Sequence, residues 1–325
     1  MPVELTDDPT AFVSRDWGHL VQIDRHGTLF HTPAYLKLWW EEFGRGRLVL
    51  AFVTDQDRTV AACPFELLDS TLTFLGGFDV TDYMGPVGIP GGEEGAAKEL
   101  VSALANEVEW DRADLRSLPA ESPWLDALGA AADSHAFRTK IGEDGAAPMI
   151  LLPSTYQEYL ASLPARLRHE ILRKGRRLAQ EAGAFSVRVS AAETIGRDMD
   201  RFLELHRDSP GPKGKFMQPS MERFFRRLAE AFLPERAFRL AFLEVDVAQA
   251  AGAIGFAFKD TFSLYNSAFD RRFARLSPGM VLVADLIRKA IVAGDTAFDM
   301  LKGDLEYKHR FGARPRPIAS LALER

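Results

Sequence analysis

The chain has 325 residues, 46% hydrophobic and 26% charged, with 23 Phe and 5 Trp, so it carries ample bulk for packed cores and is not disordered by composition. That length predicts two domains rather than one core. A formal charge of −6 gives no global attraction to polyanions, a lone cysteine (Cys63) excludes an intramolecular disulfide, and without a long uncharged apolar run no membrane insertion is expected.

The first residues, Met1 to Asp8, carry acids where a secretory signal would carry basic residues and then an apolar core, which predicts a cytoplasmic protein. Thr32, Pro33 and Gly44 bracket an aromatic-faced helix containing Trp39 and Trp40. Residues 48–53 and 59–65 read as a hairpin, with Cys63 a buried thiol in the second strand. A Gly- and Pro-rich stretch over 81–92 precedes a helix over 93–108 and a strand over 114–118. Strands alternating with helices predict an α/β domain with mixed sheets. The pattern loosens between Trp124 and Pro148, which places a domain boundary there: 1–147 and 148–325.

In the second half, Ser154 with Gln157 reads as a capping box opening a short helix, and Pro164 starts a second helix running to about Ala182. A helix over 195–207 follows, then a loop over 208–215 with too many breakers to be regular, and a helix over 221–232. Three successive strands span 238–245, 250–258 and 261–267, before a helix over 279–293, a strand over 297–301 and a polar segment over 302–311.

Glu244 on its strand, the run Leu264 to Asp270, the helix start Ser277-Pro278-Gly279, the run Phe298 to Asp304 and the segment Tyr307-Lys308-His309-Arg310-Phe311-Gly312 resemble, in order and motif, the GNAT acetyltransferases. The resemblance is to the FemAB-like double-GNAT branch of CelD/BcsL type, and the Trp39-Trp40 and Asp82-Tyr83 regions fit that family's first half more loosely. It implies two tandem GNAT-like folds, with the donor site in the second domain. It also implies an acyltransferase that takes acetyl-CoA or another acyl-CoA as co-substrate, with a small-molecule or glycan or peptide precursor as acceptor. FemAB-type enzymes use aminoacyl-tRNA instead, a partner the acidic composition disfavours.

Acyl transfer requires a seat for the donor's phosphates, stabilisation of an oxyanion and a proton acceptor. Ser277, Gly279 and Met280 begin a helix whose free N–H groups suit an anion, next to the basic run containing Arg275; the alternative is an ordinary Ser-Pro-Gly helix start. Lys308 matches the lysine that the family places at the transfer centre, with Tyr307 to orient it or protonate a leaving group. Asp304 and Asp299 follow an apolar strand and can receive a proton or pair with Lys308, pairing being the expected role of Asp299. Glu244 is either the base or the polar face of its strand; Tyr265 and Asn266 either hydrogen-bond a substrate carbonyl or serve as a core Tyr and a turn-entry Asn. Arg173 and Arg177 share a basic helix face that either holds phosphates or is merely solvated. Without a P-loop, a His-Glu-x-x-His, paired Cys ligands or a Gly-x-Ser-x-Gly elbow, neither a metal nor a covalent nucleophile is expected, and histidines such as His206 read as scattered polar residues. A binding protein that keeps the fold without catalysis is the competing class.

Overall fold

In the computed structural model, which describes residues 1–13, 16–77 and 79–325, the chain begins with strand β1 (Val3–Thr6) and helix α1 (Trp17–Ile23). The first predicted helix is α2 (Pro33–Phe43): the Thr32 hydroxyl accepts from the Tyr35 N–H, Pro33 stands in the first turn, and the Gly44 N–H ends the helix on the Trp40 carbonyl. The hairpin forms as antiparallel β2 (Arg47–Asp55) and β3 (Arg58–Leu68), turning at Gln56 and Asp57 with positive φ at both, and Cys63 is buried within it. Then come β4 (Thr71–Phe74), β5 (Val87–Gly88), α3 (Glu93–Glu107) and β6 (Arg112–Pro119). The stretch expected to be loose is regular: it contains α4 (Pro123–Ser134) and β7 (Arg138–Ala146). Helix α4 hides its periodicity because much of its buried face is Ala and Gly, whose small side chains let it pack closely on α3.

The second unit opens with β8 (Met149–Leu151) and α5 (Tyr156–Ser162), whose capping box is Thr155 with Glu158, one residue later than expected. Next come α6 (Ala165–Ala182), β9 (Phe185–Val189) and α7 (Ile195–Arg207). The predicted irregular loop holds a short helix, α8 (Pro212–Phe216), because a proline in the first turn is helix-compatible where one in the interior is not. Helix α9 (Pro219–Phe232), the three strands β10 (Phe238–Val245), β11 (Ala248–Phe258) and β12 (Thr261–Phe269), helix α10 (Pro278–Ala293), the short β13 (Ala297–Asp299) and α11 (Glu306–His309) complete it.

The last strand, β14 (Pro317–Glu324), lies outside the second unit, which was expected to run over 148–325. It leaves the second half and pairs between β6 and β7, so one unit is Met1–Ala147 with Arg316–Arg325 and the other is Pro148–Pro315. The first unit's sheet runs β1-β2-β3-β4-β6-β14-β7, with β5 also on β3, and its core gathers α3 and α4 on that sheet through Leu100, Leu104, Trp124, Leu128 and Leu321. In the second unit the order is β8-β13-β12-β11-β10-β9. Alternation along its strands serves two faces: Ala241, Leu243 and Ala253 join the core built with α6 and α10, while Phe256 meets Phe232 of α9 and Gly252 lies under Phe202 of α7.

Candidate active site

Strand β12 pairs with β11 to its last residue, Phe269, but with β13 only over Thr261–Ser263. From Leu264 onward it therefore has no partner strand on its β13 side among the described residues. Strands β12 and β13 are parallel and joined through α10, so the carboxyl end of β12, the start of α10 and the segment after β13 meet where α/β sheets take ligands.

The start of α10 is built unusually. Ser277, its N-cap, has φ 55° and ψ 49°, a left-handed conformation that costs a non-glycine residue energy and so needs support from its neighbours. Support comes from α6: the Lys174 ammonium, mostly buried, donates to the Ser277 hydroxyl at 2.9 Å. The Met280 and Val281 N–H groups return to the Ser277 carbonyl, and Pro278 has none, which leaves the Gly279 N–H as the donor of the first turn. A side chain at Gly279 would meet only Phe269, at 3.9 Å, so the ground before this helix end is open, and Met280 packs on the core. Arg275 and Arg177 are drawn elsewhere: both guanidinium groups bond Glu181, at 2.8 and 2.7 Å. The hydrogen bond from Arg177 and the two positive charges hold the Glu181 carboxyl below the usual range. Arg173 stands exposed on the same helix.

A bulge marks the middle of β12. Asn266 faces Ile254 and Leu264 faces Gly255, so Tyr265 is the extra residue and two consecutive side chains turn to the α7/α9 face. Tyr265 stacks on Phe225 of α9 with ring centroids 5.5 Å apart, and Asn266 follows it half-exposed on the strand. His206 is 1% exposed, lies between Phe202 and Phe216, and is held down to a pKa of about 4 by burial and by the neighbouring Lys213 charge. Lys213 itself donates from α8 to the Ser267 carbonyl. Sequence reasoning missed His206 and Lys213. The signal for His206 was present, since it continues the apolar face of Met199, Phe202 and Leu203 at helical spacing, where a polar residue needs a reason.

After β13 the chain is fastened by its own side chains. The buried Asp299 accepts from the Leu301 N–H at 2.7 Å, and the Lys308 ammonium, 3% exposed, donates to the Leu301 and Lys302 carbonyls at 2.7 and 3.0 Å. Leu301 and Gly303 both take positive φ in that turn, which Lys308 and Asp299 hold in place. Tyr307 packs on the core, and burial pushes its phenol up, so it is a donor and not a base at neutral pH. Asp304, exposed, bonds Nε2 of His309, whose Nδ1 faces the Ala313 carbonyl. Glu244 is placed away from all of these: it accepts from Arg188 at 2.9 Å, in a cluster with the buried Asp198. Tyr265 and Asn266 thus lie on β12, Ser277 and Gly279 at the start of α10, and Asp299 of β13 with Lys308 of α11 on either side of the turn they hold, while Glu244 and Arg177 are engaged in ion pairs.

Residues 165–309 match the model of the acetyltransferase (GNAT) domain family. Among solved structures the chain is similar to FemX, at 12% identity and a TM-score of 0.69, covering 98% of this chain and 97% of that one. The fold is FemX-like. It is similar also to L-PGS from Bacillus licheniformis (13% identity, TM-score 0.61, 98% of this chain and 92% of that one). A third likeness is to the C-terminal domain of a putative lysylphosphatidylglycerol synthetase from Agrobacterium fabrum (12%, TM-score 0.59, 98% and 93%). There is no match among curated proteins. The architecture is therefore two GNAT-like folds in one chain. Among the described residues no cluster of His, Cys, Asp or Glu is arranged to hold a metal ion, and no helix is long and apolar enough to cross a membrane.

Proposed function

We propose that the chain is a cytoplasmic acyltransferase of the CelD/BcsL-type acetyltransferase branch. It moves an acyl group, acetyl first among them, from acyl-CoA to an amine or hydroxyl of a small molecule or of an envelope or polysaccharide precursor. The observation that carries this reading is the open stretch of β12 beside the start of α10. Backbone groups of an unpaired strand can hold an extended amide-containing chain such as the donor's, as a further strand would. The Gly279 N–H and the Lys174 ammonium then face its phosphates. The acceptor attacks the thioester carbonyl directly: the new C–N or C–O bond forms, the C–S bond breaks, and the thiol leaves with a proton. Asn266 and Tyr265 donate toward the carbonyl oxygen, Lys308 keeps the turn after β13 in place, and Asp304 is the exposed carboxylate nearest that turn in sequence, available for the acceptor's proton.

A second donor is favoured by one observation, the likeness to FemX along both whole chains. With aminoacyl-tRNA as donor, the exposed Arg166, Arg173 and Arg176 on α6 would meet the phosphate backbone. Calorimetric titration with acetyl-CoA, desulfo-CoA and a mixed aminoacyl-tRNA pool separates the two. The expected result is saturable binding of both CoA compounds, lost in Gly279→Trp, whose indole fills the open ground before α10, and retained in Lys308→Ala. Tight tRNA binding without CoA binding would transfer the assignment to aminoacyl transfer, and binding of neither would leave a precursor-binding protein.

A further inference from the structure

We propose that the exposed face of α6 docks on an anionic lipid surface, its arginines meeting lipid phosphates and Leu172 reaching the acyl layer beneath them. The inference goes beyond the acyltransferase reading and stands without it. At 3.6 residues per turn Arg166, His169, Arg173, Arg176 and Gln180 fall within roughly a quarter of the helix circumference, and all five are exposed. The opposite side carries Leu167, Ile171 and Leu178, which pack in the core with α10, so the basic face is fixed outward. Leu172, 41% exposed, borders that face between His169 and Arg176, three residues before it and four after.

The two carboxylates of the helix are occupied elsewhere: Glu170 by Lys174 and Arg310, each at 3.7 Å, and Glu181 by Arg177 and Arg275, at 2.7 and 2.8 Å. Among the described residues Arg166, Arg173 and Arg176 have no carboxylate partner, on a chain whose formal charge is −6, so the face is a local cationic stripe and not a sample of a basic protein. Such a stripe is complementary to phosphates, and Leu172 discriminates among phosphate-bearing partners. A nucleic-acid backbone gives a solvated leucine nothing to bury against, and α6 has no Phe, Tyr or Trp on which a base could stack. A lipid surface answers both groups, with phosphates over the cations and hydrocarbon within reach of the leucine. Because the apolar side of the helix is already taken by α10, the attachment is peripheral and reversible, and salt screens it.

The test is sedimentation of the full chain with vesicles of phosphatidylcholine alone and of phosphatidylcholine mixed equally with phosphatidylglycerol. The wild type is compared with the triple variant Arg166→Gln/Arg173→Gln/Arg176→Gln and with Leu172→Ser. A control, Arg58→Gln/Arg197→Gln/Arg288→Gln, removes the same charge from exposed positions on other elements. The wild type should sediment with the anionic vesicles and not with phosphatidylcholine alone, and added NaCl should release it. The α6 triple variant should bind on the order of 100-fold more weakly. Leu172→Ser should bind about 5-fold more weakly, and the control like the wild type. Failure of the wild type to sediment with anionic vesicles, an equal loss in the control, or Leu172→Ser binding like the wild type would overturn the inference. Binding of a mixed tRNA pool without binding of the vesicles would reassign the stripe to nucleic acid.

Discussion

A chain ending at Pro315 is expected to lose the cooperative fold of its first unit while the second unit keeps its six-stranded sheet. Strand β14 is central in the first sheet, hydrogen-bonded to β6 on one side and β7 on the other, and its side chains Ile318, Leu321 and Leu323 are 1%, 0% and 4% exposed. Burying three such side chains contributes on the order of 6 kcal/mol, comparable with the whole stability of a domain. Removing the strand also strips both β6 and β7 of a ladder. Arg325 adds to the loss, because its guanidinium lies over Trp110 and donates to the Leu104, Ala105 and Val108 carbonyls at the end of α3. Two thermal transitions in the full chain should become one after truncation, with residues 1–147 newly open to limited proteolysis. A truncated chain that melts like the full one would show that the strand is dispensable.

Asp198→Ala is expected to lower the stability of the second unit by about 3 kcal/mol, a fall of roughly 10 °C in its melting temperature. Asp198 on α7 is completely buried and receives both terminal nitrogens of Arg188 of β9, at 2.6 and 3.0 Å, and the Thr194 hydroxyl at 2.7 Å. Burial by itself would push this carboxyl up. The hydrogen bonds from Arg188 and Thr194, with the guanidinium charge, outweigh it and hold the pKa at about 2, against an ordinary 3.8. Because the folded value is the lower one, the stabilisation is fully present above about pH 4 and is lost as the pH falls toward 2, an effect of about 2 kcal/mol. Denaturant titrations at pH 7, 4 and 2.5 read it out: wild type and Asp198→Ala should converge at acid pH, and a constant difference across the range would contradict the ion-pair account. Glu244 shares Arg188, so Glu244→Gln should cost less than Asp198→Ala, since Glu244 accepts a single bond from Arg188 at 2.9 Å.

Much of the second unit was legible because its signals are local. The strands over 238–267 and the helices around them are runs long enough for period 2 and period 3.6 to show, and the start of α10 is marked by Ser277-Pro278-Gly279. The capping box of α5 was off by one residue because Ser154 and Thr155 both precede an acceptable partner three residues on. Tyr265 and Asn266 lie on the stretch of β12 beyond its pairing with β13, and Gly279 opens α10, while Glu244 meets Arg188, 56 residues away, a partner that no local spacing shows. His206 reads as a scattered polar residue in the sequence, whereas the fold buries it on α7 between Phe202 and Phe216.

What the sequence determined by itself is what neighbouring residues decide: the α/β class, the caps and turns, the alternation of each strand, and the basic face of α6. Tertiary structure decided everything that depends on partners distant in the chain. It placed β14 beside β6 and β7, put Lys174 against Ser277, brought Arg275 to Glu181 and set Arg188 between Asp198 and Glu244. The physical reason is that a charge or a strand edge has no fixed role until burial removes water as its alternative partner, and burial is set by packing across the chain.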